Sequence, residues 1–529
     1  MHGIYIKCAD FLRRNIWMII LILGAFIVRY YNLGRKSFWF DESLVLLEAE
    51  KAVPVILGVR AEGIHPPLYR LLLHFWMEIG RGETFLRLLS VVFSIAAIPF
   101  CFAIARRVFK SRAAAYLAAA ITAFSPFQVY FAREIRMYPL LLLSALASLY
   151  FFLSMHENDS LTRRIFYVIS TVAALYTHYF AFWVLAAENA VFLVCYVIFR
   201  GRDKESKPDA GKWWFSQAAV LLLFLAWAEN LFVHLERMKD SFWAGKTSLS
   251  TLPESLGNLF YGYYNAGLFP AAAGAFLFLL FIAGTWRLVC GFKENGCSSR
   301  GRAHLLCLAA FFIPVVGSLI VSGFFVPMYM ERPLIFAACF YYILVVAGLE
   351  YLTKYRLFFY GICAALAVYL FICLANIYSA ARFNPAAGMV EKKPVREVVG
   401  YILSKRAGNE PVLLAHCSML YPFLYYTPAA TRGFIYLVEN ASVDPGDVST
   451  LFGIKQTFGI NITVPADIPV DSGGIWLVCS GWGPQIVPVS KSMAKWMADW
   501  KMVFKDSGFP GFEIYYLRSN TKMENKNGK

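Results

Sequence analysis

The sequence predicts an α-helical polytopic membrane protein with about eleven transmembrane helices and a small C-terminal α/β domain. Three observations predict it. Of 529 residues, 59% are hydrophobic and only 16% charged, with a mean hydropathy of +0.54, whereas a soluble domain is nearer about a quarter charged. Apolar runs long enough to cross a bilayer, roughly 18 residues or more, recur through the first 379 residues. Beyond residue 380 the composition turns polar, and short strand-like and helix-like stretches replace the long runs.

The elements follow in order. Lys7, Arg13 and Arg14 flank an apolar run from Ile16 to Tyr31, which has the form of a signal-anchor without a cleavage site. Residues 33–83 form the first outer loop. Within it, Ser43 to Leu57 and Pro66 to Ile79 have mixed helical patterns that suit helices lying in the interface. Further spans are predicted near 85–106, 113–131, 137–154, 164–177, 182–199, 213–233, 267–289, 304–324, 333–351 and 357–377. Two domains result, a transmembrane domain over 1–379 and a soluble domain over 380–529. In the tail, Val395 to Lys405 reads as an amphipathic helix. Pro411 to Ala415 and Gly474 to Val478 read as short buried strands.

The net charge of +16 fits a membrane protein whose cytoplasmic loops collect Lys and Arg. These residues concentrate at 106–112, 200–212 and 287–302, with few in the alternate short loops. That asymmetry places the N-terminus inside and, with eleven spans, the tail outside. A multi-pass place in a cell membrane follows. No zinc-ligand spacing, basic helix or RNP-like strand accompanies the charge, so nucleic acid is excluded as a partner. None of the eleven cysteines forms a CxxC pair. Only Cys417 and Cys479 lie in the tail, where a disulfide is one option.

With this sidedness the unusual polar groups fall on one face. Asp41 and Glu42 follow three aromatic residues, Phe38-Trp39-Phe40, just past the first span. Acids at headgroup depth call for a reason. The plainer reading is a solvated loop acid pair. Arg133 and Arg136 are three apart, a spacing that puts both on one helix face, with Tyr130 and Tyr138 as flanks. Planar guanidinium forks there suit a phosphate, with Arg332 as a third; the plainer reading is snorkelling anchors. His65, held by Pro66-Pro67, and the Thr177-His178-Tyr179 break offer substrate contacts or a divalent-metal site, although no local spacing demands a metal. Lone interfacial histidines are more often satisfied by water. Glu188 and Glu229 lie inside spans and should face the bundle interior.

These strings resemble the C-type (GT-C) glycosyltransferases that use polyprenyl-phosphate sugars, near the bacterial relatives of protein O-mannosyltransferases and the lipid A aminoarabinose transferase. The resemblance rests on Phe38-Trp39-Phe40-Asp41-Glu42, His65-Pro66-Pro67-Leu68-Tyr69, Leu86-Arg87-Leu88-Leu89-Ser90, Ser125-Pro126-Phe127-Gln128-Val129-Tyr130, Arg133-Glu134-Ile135-Arg136-Met137-Tyr138 and Tyr176-Thr177-His178-Tyr179. It covers residues 30–200 and thins beyond them. It implies a GT-C-like fold and transfer of a sugar from a polyprenyl phosphate to an acceptor hydroxyl on an envelope glycan, lipid or protein. It implies a bacterial cytoplasmic membrane location, and the acid pair Asp41 and Glu42 as the catalytic residues, with Asp41 the general base. Arg133, Arg136, Tyr138 and Arg332 become donor-phosphate ligands, and His65, His178 and Tyr179 substrate or metal contacts. Arg133 stands where many relatives carry Gln or a small polar residue. Met330-Glu331-Arg332-Pro333 follows the family's late segment only loosely. A lipid-linked sugar flippase and a non-catalytic lipid-binding relative are the alternatives. Against the flippase stand the lack of an internal repeat and the clustering of polar groups at one boundary rather than at the midplane.

Overall fold

The computed structural model describes residues 2–58, 64–198, 209–241, 251–265, 270–325, 327–379, 392–438, 461–463, 474–481, 486 and 491–519. The basic run 200–208 and the tail 520–529 lie outside the described residues. Every predicted span falls on a helix or a bent pair of helices. Six are long and apolar enough to cross a membrane outright: α5 (Glu83–Val108), α8 (Tyr138–Glu157), α14 (Pro270–Asn295), α15 (Ser299–Phe324), α17 (Arg356–Ser379) and the segment Arg332–Leu352 that contains α16 (Ile335–Leu349). Two more are broken spans. α6 (Arg112–Phe124) and α7 (Pro126–Ala132) meet at 50°, and α11 (Ala210–Leu225) meets α12 (Ala228–Ser241) at 66°. The remaining three are shorter: the apolar part of α1 (His2–Tyr30), α9 (Leu161–Leu175) and α10 (Ala181–Ile198). The chain is therefore a multi-pass membrane protein.

Local chemistry sets the breaks. Ser125 ends α6, and Pro126, at the first position of α7, has no N–H to continue the ladder. Ser111, Ser160, Asp209 and Ser298 cap α6, α9, α11 and α15 with side-chain oxygens. Deep in the bundle α14 and α16 cross closely. A Cβ on Gly284 would sit 1.7 Å from the Leu344 carbonyl oxygen, and one on Gly348 would sit 2.1 Å from that of Leu280. Small residues permit such backbone contact in lipid.

The first outer loop folds as α2 (Phe40–Ala49), α3 (Val53–Leu57) and α4 (Leu68–Ile79). The expected continuous helix over 43–57 is interrupted between Ala49 and Val53, before Pro54. Short helix α13 (Thr251–Tyr261) packs against the same end of the bundle.

Among the described residues the C-terminal domain is a six-stranded sheet in the order β3-β2-β1-β4-β6-β5. Its strands are β1 (Val412–Leu414), β2 (Ile435–Val438), β3 (Asn461–Thr463), β4 (Ile475–Cys479), β5 (Trp500–Asp506) and β6 (Glu513–Ser519). The first four are parallel and the last two antiparallel. α18 (Val395–Lys405) buries Val395, Val398, Val399 and Ile402, the i, i+3, i+4, i+7 stripe of a core-facing helix. With α19 (Leu420–Tyr426) it covers one sheet face. Cys417 and Cys479 are buried in clusters on opposite faces of the sheet, with no disulfide between them. The disulfide option is therefore not realised.

Candidate active site at the loop-bearing end of the bundle

The adjacent acids occupy the first turn of α2, where the helix dipole favours negative charge. Successive helical residues point about 100° apart, and the two carboxylates have separate fates. Glu42 turns inward and its side chain is 0% exposed. One oxygen accepts from Arg87 Nε at 2.9 Å and from the Ile135 amide at 3.1 Å. The other accepts from an Arg87 terminal nitrogen at 2.9 Å and from Lys392 Nζ at 2.9 Å. Burial alone would raise its pKa, but the Arg87 and Lys392 charges override this and hold it well below the usual carboxylate range. Glu42 therefore has no open face toward an acceptor. Glu42, expected as a catalytic acid beside Asp41, here has both oxygens engaged by Arg87, Lys392 and the Ile135 amide.

Arg87 comes from the second turn of α5. Its other donors reach the carbonyls of Leu33, Lys36 and Ser37 at 2.9, 2.8 and 3.3 Å. All five guanidinium N–H groups thus serve the segment that carries the acids. A lone arginine in an apolar run gave no sign of this role.

Asp41 turns outward, with 20% of its side chain exposed. Its Oδ2 accepts from Arg332 at 3.2 Å and lies 3.6 Å from Arg136. The Trp39 ring backs Arg332 at 5.8 Å, and the Tyr138 ring backs Arg136 at 5.6 Å. Glu331, next to Arg332, accepts from Ser255, Asn258 and Tyr263 at 2.8, 3.1 and 2.7 Å, which ties the Arg332 turn to α13. One partly open carboxylate thus sits between two buried arginines.

Arg133 does not join them. The helix ends at Ala132, and the turn 133–137 swings the two arginines apart. Arg133 donates to the carbonyls of Arg29, Tyr31 and Asn32 at 2.8, 2.6 and 3.2 Å, and covers the Tyr378 ring at 4.9 Å. It closes the C-terminus of α1. The shared-face expectation assumed an unbroken helix and is corrected: of the three arginines only Arg136 and Arg332 lie beside Asp41.

His65 and His178 come together, ring centroids 5.0 Å apart, because the Leu68 amide bonds the Tyr176 carbonyl at 2.9 Å. Arg70 fixes the His65 carbonyl at 2.8 Å and pairs with Glu48 at 3.5 Å. Loss of solvent, with Arg136 nearby, pushes His178 down to about 3 and His65 well below its ordinary value. Both rings are therefore neutral and frame the Arg136 side of the site. Tyr179 is engaged with α12 and the residue before it. Its hydroxyl pairs with His234 Nδ1 at 2.7 Å and accepts from Trp227 at 3.2 Å. Among the described residues no three His, Cys, Asp or Glu side chains converge as metal ligands, and Glu42 is already spoken for. The residues present do not fit a bound divalent ion, and no step below uses one. Glu188 faces the interior as expected and bonds Ser148 and Tyr167. Glu229 does not; the α11–α12 break leaves it exposed.

Comparison with known proteins agrees with this architecture. Residues 64–229 match the family model of dolichyl-phosphate-mannose-protein mannosyltransferases. ArnT from Cupriavidus metallidurans in the apo state superposes with a TM-score of 0.60 at 14% identity, covering 95% of this chain and 98% of that one. ArnT bound to undecaprenyl phosphate gives 0.59 at 14% over the same shares. The archaeal oligosaccharyltransferase AglB from Archaeoglobus fulgidus, in complex with an inhibitory peptide and a dolichol-phosphate, gives 0.53 at 10%, covering 89% and 70%. No curated protein sequence matches the chain. The chain has the GT-C fold seen in ArnT. The matched region runs from just before α4 to the first residues of α12.

Proposed function

We propose that this chain is a membrane glycosyltransferase that moves a hexosyl or pentosyl group from a polyprenyl phosphate to a hydroxyl of an envelope glycan, lipid or protein. The observation that carries this reading is Asp41, partly open and held between Arg136 and Arg332. A donor phosphate competes with Asp41 for both guanidiniums. Arginine forks bind such oxygens bidentately and neutralise the charge that grows on the departing phosphate. Asp41, released from its ion pairs, accepts the proton of the acceptor hydroxyl as that oxygen attacks the anomeric carbon. The carbon–oxygen bond to phosphate breaks, and polyprenyl phosphate leaves with the electron pair. A phosphate is already a competent leaving group, so no strong general acid is required.

The relatives bound to undecaprenyl phosphate and dolichol-phosphate support the donor class. The loop asymmetry in Lys and Arg supports a site and soluble domain on the outer face, with the N-terminus inside. Purified protein in nanodiscs, titrated with undecaprenyl phosphate, tests the donor site. Wild-type protein binds, and the double variant Arg136→Ala, Arg332→Ala does not. Equal binding by both would remove the phosphate role.

A further inference from the structure

The soluble domain does not merely sit above the bundle. Its elements grip residues 34–44, the segment that presents Asp41. Phe38 packs edge-on against Tyr425 and stacks on Tyr426, and Phe40 packs on Tyr421. The Tyr426 hydroxyl receives the Phe38 amide at 2.8 Å and also bonds Glu83. Ser37 bonds Glu397 at 2.9 Å and the Arg396 amide at 3.2 Å. Arg396 pairs with Glu83 at 2.6 Å. Leu47 of α2 is part of the domain's own core.

Two adjacent lysines at the start of the domain point in opposite directions. Lys393 turns into the domain, where its ammonium bonds Ser480 and the Gly481 carbonyl, each at 2.8 Å. Lys392 turns toward the membrane domain, 2.9 Å from Glu42 and 3.4 Å from Glu134. Both acids are buried. Aromatic contacts dock the domain onto this segment. Taking an ammonium and two carboxylates out of water costs several kcal/mol per ion unless they compensate one another. A tether has no need of such a charge; two buried acids beside a reacting carboxylate do.

We propose that the soluble domain is a working part of the transfer site, clamping the Asp41 segment and supplying Lys392 as the cation that holds Glu42 and Glu134 together. Lys392 is a positioning residue: it touches the acids behind Asp41, not the substrate. The idea rests on the transferase reading above. The groups facing the acid pair are Arg87 from α5, Lys392 from the domain, and Asp41 and Arg332 beside Glu134. Without Lys392, Glu42 keeps Arg87, while Glu134 loses its nearest cation and faces Glu42 as a like charge.

The test uses the full chain in a strain lacking it, and reads the glycosylated envelope product that disappears on deletion, normalised to protein in the membrane. Lys392→Met is expected to cut that product on the order of tenfold or more. Lys392→Arg, which keeps the charge, restores most of it. Glu134→Gln added to Lys392→Met recovers at least about threefold, because it removes the like-charge conflict; a lysine that only braces the fold would show no such rescue. If Lys392→Met does not accumulate, Lys392→Gln carries the same expectations. Full product from Lys392→Met while Asp41→Asn makes none overturns this inference and leaves the transferase reading standing. Full product from Asp41→Asn as well overturns both.

Discussion

Among the described residues, the driest ion pairs of the helix bundle lie at one of its two ends. At the end away from the soluble domain, Arg107 pairs with Glu157, Arg164 with Asp159, and Lys212 with Asp159, at 2.6 to 2.8 Å, with side chains partly in solvent. At the loop-bearing end, Arg87–Glu42 is essentially dry, and Asp41, Arg136 and Arg332 are largely enclosed. Exposed pairs contribute little and need little explanation. Buried ones carry a desolvation penalty that apolar residues would avoid. Their concentration at one end marks where the molecule keeps charge for a purpose.

The largest effect expected from breaking this contrast is on stability. Arg87→Met leaves Glu42 buried with half of its cations gone and frees three carbonyls of the 33–37 segment. About 3–5 kcal/mol should be lost, read as a fall in thermal unfolding temperature in nanodiscs. A near-native melting point would mean that Glu42 has another route to neutralisation. Next comes Arg136→Ala, which should weaken undecaprenyl phosphate binding by about 1.5–3 kcal/mol, the usual range for a hydrogen bond to a charged group. Unchanged affinity would return Arg136 to a role as a partner of Asp41 alone.

A smaller effect is set by pH. His178 is held down to about 3 in the folded chain, against about 6.5 when unfolded. Below pH 6.5 the unfolded chain takes up a proton that the native one refuses, so stability falls as pH falls toward 3. The slope is at most about 1.4 kcal/mol per pH unit for this group. Glu42 acts in the same direction at lower pH: its stabilisation is full above about 4.3 and is lost as pH drops further. Melting curves from pH 7 to 5 should show this slope, to which His65 adds in the same direction, and His178→Gln should reduce it by one group's share. The smallest effect belongs to the opposite end. Arg164→Ala should cost under about 1 kcal/mol and leave donor binding unchanged. A loss as large as that of Arg87→Met would erase the distinction between the two ends.

Much of this was legible in the chain. Apolar runs gave the spans, and the stripe Val395, Val398, Val399, Ile402 gave α18 with its bounds. Asp41, Arg136, Arg332, His65 and His178 could be assigned to one face because charge asymmetry orders the loops. Three features were not legible, each for a physical reason. Arg133 and Arg136 share a face only if a helix runs through them, and the chain breaks at Ala132. Asp41 and Glu42 look equivalent as neighbours; which one turns inward depends on Arg87, contributed from α5. Lys392 reaches Glu42 across 350 residues, a contact fixed by domain docking that no local pattern encodes.

The central claim is that Asp41 takes the acceptor proton. The direct measurement is sugar transfer by purified protein in nanodiscs, with lipid-linked sugars and acceptor material extracted from the source membrane, comparing wild type with Asp41→Asn. Asparagine keeps the size and part of the hydrogen bonding but cannot accept that proton as carboxylate does. The account predicts a protein that folds, binds undecaprenyl phosphate and loses transfer by about a hundredfold or more. Transfer at near wild-type rate by Asp41→Asn would contradict it.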